Sequence, residues 1–136
     1  MNVHHLLDQL IVHEGLRLKP YRCSAGKLTI GIGRNLEDRG ITEVEARYLC
    51  LNDIGVVEVE LTRNFPRWLE LSERRQMALA DMAFNLGWPR LSGFRRMLLA
   101  IEAGDYEAAA AEMLDSRWAQ QVGRRAETLA RMMREG

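Results

Sequence analysis

The hydrophobic period of this chain changes within its first 33 residues, and that change limits what it can build. Val3, Leu6, Leu7, Leu10 and Ile11 recur at i, i+3, i+4, i+7 and i+8, the stripe of an amphipathic helix, and Gly15 is placed to stop it. After a turn predicted at Arg22-Cys23-Ser24-Ala25-Gly26 the period falls to two. From Lys27 to Gly33, Leu28, Ile30 and Ile32 share one strand face, while Thr29, Gly31 and Gly33 share the other. Two glycines on one strand face let another surface approach the backbone.

The same stretch spaces three chemically useful groups. Eight residues separate Glu14 from Cys23, and five separate Cys23 from Thr29. Glu14 stands eleven positions after Val3, so at 3.6 residues per turn it falls roughly 20° from the middle of the apolar stripe. Its carboxylate is therefore expected to face the interior. Desolvation and the helix C-terminal dipole would then both favour the protonated acid that general acid catalysis needs. Cys23 lies in the turn and Thr29 offers a hydroxyl from the strand.

The remainder reads as helices. Thr42 and Glu45 form a capping box for a helix reaching about Leu61, with Val44, Tyr48, Leu51 and Ile54 on one side. Pro66 interrupts it. Ser72 caps a helix to Leu86, which Gly87 and Pro89 end; Ser92 and Asp105 are expected to cap two more, with Gly104 between them. A last helix runs from about Arg124 to Arg134. The fold class is α+β, predominantly α-helical, with no internal repeat, low-complexity tract or flexible linker. At 136 residues and 47% hydrophobic content, the chain can bury a core as one domain or two small lobes sharing a helix, without metal or disulfide.

Charge narrows the function classes. Nineteen basic residues balance 19 acidic ones, so the arginine pairs at 74–75, 95–96 and 124–125 create no field for nucleic acid, even with Trp88 and Trp118 nearby. His13-Glu14 is not followed by the second histidine of a zinc-protease helix, and no metal or other cofactor is expected. Cys23 and Cys50 are too few for a secreted disulfide framework. Neither a signal peptide nor a membrane-spanning run is seen, so membrane insertion is not expected.

The segments HEGLRLKPY and KLTIGIG, followed by ITEVEARYL, ADMAFNLGW and SRWAQQVGRRAETLA, resemble the phage-type lysozymes, the muramidase endolysins, along nearly the whole chain. The resemblance implies a single lysozyme-like domain over 1–136. A small β-hairpin lobe (14–45) would be joined by a helix (42–62) to a helical lobe formed by 1–13 with 60–136. It implies cleavage of the β-1,4 bond between N-acetylmuramic acid and N-acetylglucosamine, with peptidoglycan strands as partner and the chain a monomer. Synthesis would be in the bacterial cytoplasm, with action on the wall after release through a separate phage holin.

Residue by residue, Glu14 matches the family's general acid and Thr29 the threonine that helps place the attacking water. Arg125 matches an arginine that pairs with the catalytic Glu, and Asn85 a polar helix position at the cleft. Arg117 and Trp118 match the S-R-W segment of the C-terminal lobe, and Gly31 the first glycine of the T-x-G-x-G strand.

Three departures follow. Arg34 stands where the family commonly has His, and Asp53 matches the carboxylate that pairs with it, so an Arg34–Asp53 ion pair is expected. The stretch from Asn35 to Ile41 is much shorter than in the T-even phage enzymes, implying a trimmed groove. Cys23 replaces the family's Asp. A thiolate there, favoured by neighbouring Arg22, would activate water or attack the anomeric carbon; alternatively hydrolysis is lost and a peptidoglycan-binding or structural protein remains.

Overall fold

A computed structural model describes residues 1–136. The chain divides into two compact units, Met1–Tyr48 and Leu49–Gly136. The first holds α1 (Val3–Glu14) and a three-stranded antiparallel sheet, β1 (Arg17–Arg22), β2 (Leu28–Gly31) and β3 (Arg34–Asn35), in the order β1-β2-β3. Helix α2 (Glu43–Asn64) begins in the first unit and ends in the second. The second continues with a 3-10 turn (Pro66–Glu70), α3 (Glu73–Leu86), α4 (Trp88–Leu91), α5 (Arg95–Glu102), α6 (Tyr106–Leu114), α7 (Arg117–Val122) and α8 (Arg124–Glu135). The α+β, mostly helical class is the one the hydrophobic periods predict. Helix α1 falls in the unit that holds the sheet.

In the first unit, Asn2 caps α1 by accepting from the amides of His4 and His5, and Gly15 ends it with φ +81° and a bond from its N–H to the Ile11 carbonyl. No residue of α1 is fully buried; of its apolar stripe, Leu6 and Ile11 are half-buried, whereas Val3, Leu7 and Leu10 are exposed. Tyr21 pairs with Thr29, and Thr29 with Asn35. Strand β1 contains Pro20, which an edge strand tolerates because its outer side needs no N–H partner.

The glycine strand is shorter than its alternation suggests. β2 ends at Gly31, and Gly31 and Gly33 both take φ +71°, turning the chain into β3. The glycines serve a turn rather than a flat strand face, since the left-handed region costs a residue with a Cβ about 1–2 kcal/mol.

In the second unit every helix packs around one apolar core, with Leu61, Leu79, Met82, Leu91, Met97, Ile101, Met113 and Met133 fully enclosed. Ser72 and Asp105 cap α3 and α6 as expected, accepting from Arg75 N and Ala108 N. Ser92 does not cap a helix start. It follows α4, its hydroxyl donates to the Pro89 carbonyl, and α5 begins after Phe94 without a side-chain cap. Pro89 likewise opens α4 instead of merely ending α3, because proline's missing N–H is harmless in a first turn. The side of α2 carrying Val44, Tyr48, Leu51 and Ile54 is largely exposed, and only Val57 and Leu61 of that helix are buried.

Candidate active site

The turn after β1 is fixed by its own backbone. Gly26 N–H donates to the Cys23 carbonyl at 2.8 Å, Cys23 N–H donates to the Lys27 carbonyl at 2.9 Å, and Gly26 takes φ +78°. Three residues, Ser24 to Gly26, thus lie between Cys23 and its partner Lys27, a compact hairpin loop in which glycine supplies the positive φ. Glu37 locks it from outside, accepting from Leu28 N–H at 2.9 Å and from Arg22 at 2.7 Å. The Leu28 amide first, and Arg22 second, hold the Glu37 carboxyl below its usual range.

Cys23 sits half-buried at the head of this loop. Its thiol is pushed down from the ordinary value, chiefly by the Lys27 backbone amide and then by that of Ala25, against an opposing effect of burial. The Thr29 hydroxyl makes a smaller contribution in the same direction. Arg22 was expected to favour the thiolate, but its guanidinium is engaged by Glu37 and by the Gly26 carbonyl at 3.0 Å. Peptide dipoles of the turn take over that function. Thr29 itself is only 3% exposed, and its hydroxyl donates to the Lys27 carbonyl at 2.9 Å. Burial and this bond fix the side chain beside Cys23, one strand pair from Tyr21.

Glu14, the last residue of α1, is exposed. Helical phase predicts an apolar, inward setting, whereas Glu14 is exposed beside the half-buried Leu6 and Ile11 of the stripe. Its carboxylate is folded against the turn between β2 and β3 instead. A Cβ added to Gly33 would stand 2.8 Å from Glu14 Oε2, 3.1 Å from Cδ and 3.2 Å from Cγ. The first unit thus contains all three spaced groups: the thiol and hydroxyl together on the hairpin, the acid against the next turn.

Arg34 does not pair with Asp53. Its guanidinium forms a two-pronged bond with Glu45, at 2.8 and 2.5 Å, and also donates to the Gly40 carbonyl at 3.2 Å. Glu45 in turn accepts from Thr42 N–H while its own amide donates to the Thr42 hydroxyl. A carboxylate already fixed by the capping box offers a planar acceptor pair that suits guanidinium, so Arg34 joins β3 to the start of α2. Glu45 is held down to about 2, first by Arg34 and then by the Thr42 amide. Asp53 lies on α2 and forms no ion pair.

The remaining predicted residues lie in the second unit. Arg125 pairs with Asp81, at 2.7 Å, and both line an apolar cavity of about 300 Å³ with Cys50 and Phe84. Asn85 accepts from the Trp118 indole N–H at 2.7 Å, and Trp118 stacks edge-on against Phe94. Trp118 and the exposed Arg117 line a second cavity of about 300 Å³ with Arg90 and Gln121. Sequence reasoning missed Asp81 and the long-range partner of Glu45, and marked Gly33 only as a point of close approach. The capping box did mark Glu45, but only for its local role. Asp81 is 44 residues from its arginine, a separation at which no spacing rule operates.

No group of three or more His, Cys, Asp or Glu side chains is placed to hold a metal ion, and no helix is long and apolar enough to cross a membrane.

Comparison with known proteins places this geometry in a family. The phage lysozyme family model matches residues 12–135. The chain is 31% identical to the pre-baseplate central spike protein Gp5 of Enterobacteria phage T4, with 96% of the chain aligned but only 28% of that longer protein. It is 32% identical to an endolysin of Acyrthosiphon pisum secondary endosymbiont phage 1, covering 75% of the chain and 70% of the relative. It is 25% identical to "Probable T4-type lysozyme 2" of Dictyostelium discoideum, over 98% of the chain and 96% of the relative. A family match that begins just before Glu14 and runs nearly to the last residue includes the hairpin and the whole helical unit, and the chain belongs to the phage lysozyme family.

Proposed function

We propose that the protein is a peptidoglycan hydrolase of the endolysin type, cleaving the β-1,4 bond between N-acetylmuramic acid and N-acetylglucosamine. The observation that carries this reading is the gathering of Glu14, Cys23 and Thr29 in one small unit, with thiol and hydroxyl adjacent. Glu14 protonates the glycosidic oxygen as the leaving group departs. Cys23 occupies the second position, where its family carries a carboxylate, and as thiolate it takes the proton of the attacking water. Thr29 orients that water. The Asn85–Trp118 pair, with Arg117 and Arg125, supports the bound glycan. The protein acts as a monomer, made in the bacterial cytoplasm and reaching the wall after release through a holin lesion.

A second reading, a peptidoglycan-binding or structural protein without turnover, is favoured by two observations. Sulfur replaces the second carboxylate, and one relative is a much longer spike protein of which this chain matches 28%.

Clearing of purified peptidoglycan by the wild type, Glu14→Gln, Cys23→Ala and Cys23→Asp separates the two. The hydrolase reading predicts clearing by the wild type, loss of at least about a hundredfold with Glu14→Gln, and a marked loss with Cys23→Ala. Clearing that survives Glu14→Gln removes the mechanism. Clearing by Cys23→Asp alone establishes the second reading.

A further inference from the structure

We infer that Gly33 is a positioning residue for Glu14: the missing side chain at 33 is the space in which the acid's carboxylate rests. The inference depends on Glu14 being the proton donor proposed above. Gly31, at the end of β2, and Gly33, in the turn, share φ +71°, a value that disfavours any residue with a Cβ. Their surroundings differ. A Cβ built on Gly31 meets nothing within 4 Å, whereas one built on Gly33 enters the side chain of Glu14 at three atoms, Oε2, Cδ and Cγ.

Because Glu14 is exposed and flexible, it would yield to such a Cβ at small energetic cost. The consequence is displacement of the carboxylate rather than unfolding. Glu14 ends α1, and its backbone is fixed by the Gly15 cap bonded to Ile11. The side chain alone can move, and its Cγ, Cδ and Oε2 must move together. A misplacement of about 1 Å in a reacting group costs on the order of a hundredfold in rate.

Gly31 supplies the control for backbone strain, since alanine at either position must adopt the same unfavourable φ. Gly33→Ala and Gly31→Ala are therefore compared by melting temperature, by the 13C resonance of the Glu14 carboxyl, and by kcat and KM on peptidoglycan. The two variants are expected to melt at similarly lowered temperatures. Only Gly33→Ala should shift the Glu14 carboxyl resonance, and its kcat should fall about a hundredfold further than that of Gly31→Ala with the same KM. An unmoved Glu14 resonance in Gly33→Ala overturns the inference, and so does an equal loss of kcat in both variants. The resonance reports on the contact even if the wild type clears no peptidoglycan, so failure of the hydrolase reading and failure of this one are separable.

Discussion

At Cys23 the atom in question is sulfur, and its protonation state is set by the hairpin rather than by a neighbouring charge. The amides of Lys27 and Ala25 point at the thiol, and the Thr29 hydroxyl adds to them. A hydrogen bond to the charged form favours that form, so thiolate is more abundant at neutral pH than in a free cysteine. Alkylation by iodoacetamide, followed at Cys23 by mass spectrometry across pH, should have its midpoint below the ordinary thiol value of about 8.5. Thr29→Val should recover only a minor part of the depression, because the two amides supply more of it. A wild-type midpoint at or above the ordinary value would show that the turn does not stabilise the thiolate. The acid is a contrasting case. Helical phase places Glu14 on the apolar stripe, yet phase only states which residues share a side of the helix. How far that side is covered is a tertiary matter, and in α1 only Leu6 and Ile11 are half-buried. The contact that does hold Glu14 is with Gly33, where the sequence signals close approach to the backbone but not which group makes it.

Among the elements, those governed by local bonding were legible in advance. The Thr42–Glu45 box and the Ser72 and Asp105 caps each satisfy amides within three residues, so composition and spacing suffice to find them. The choices that went otherwise involve competition between acceptors: Arg34 took Glu45 over Asp53, and Ser92 bonded backward to Pro89. The Arg34–Glu45 link makes the junction of β3 and α2 sensitive to acid. Glu45 is depressed from 4.5 to about 2 in the folded chain, so the contribution is complete above 4.5 and is lost as pH falls from there toward 2. Glu45→Gln should therefore be less stable than the wild type at pH 6. Chemical denaturation at pH 6, 4 and 2 should show that difference narrowing step by step. A difference independent of pH would mean that Glu45 acts through packing and not through its charge.

For the whole molecule, apolar burial is distributed unevenly along the chain. Every buried apolar residue lies between Val57 and Met133, whereas Thr29 is the one buried residue of Met1–Tyr48. Hydrophobic burial is the dominant favourable term in folding, so the two units do not contribute equally to stability. The first is held chiefly by the hairpin bonds, the Glu37 lock and the Arg34–Glu45 pair; Arg22 is 66% exposed, whereas Arg34, at 21%, is partly covered. Exposed ion pairs contribute about 0–1 kcal/mol each, too little to match a packed helical core. Regions with few buried apolar contacts open at lower free energy than the global transition. Amide hydrogen exchange should consequently show α3, α6 and α8 exchanging only through global unfolding, while β1, β2 and β3 exchange through a cheaper local opening. Leu79→Ala, which empties a fully enclosed position on α3, should cost about 2–5 kcal/mol and lower helix protection by that amount. Sheet protection should hardly change, because its opening does not require the core to come apart. Equal loss of protection in sheet and helices would mean that the units unfold as one, and that the hairpin is held by more than its own hydrogen bonds.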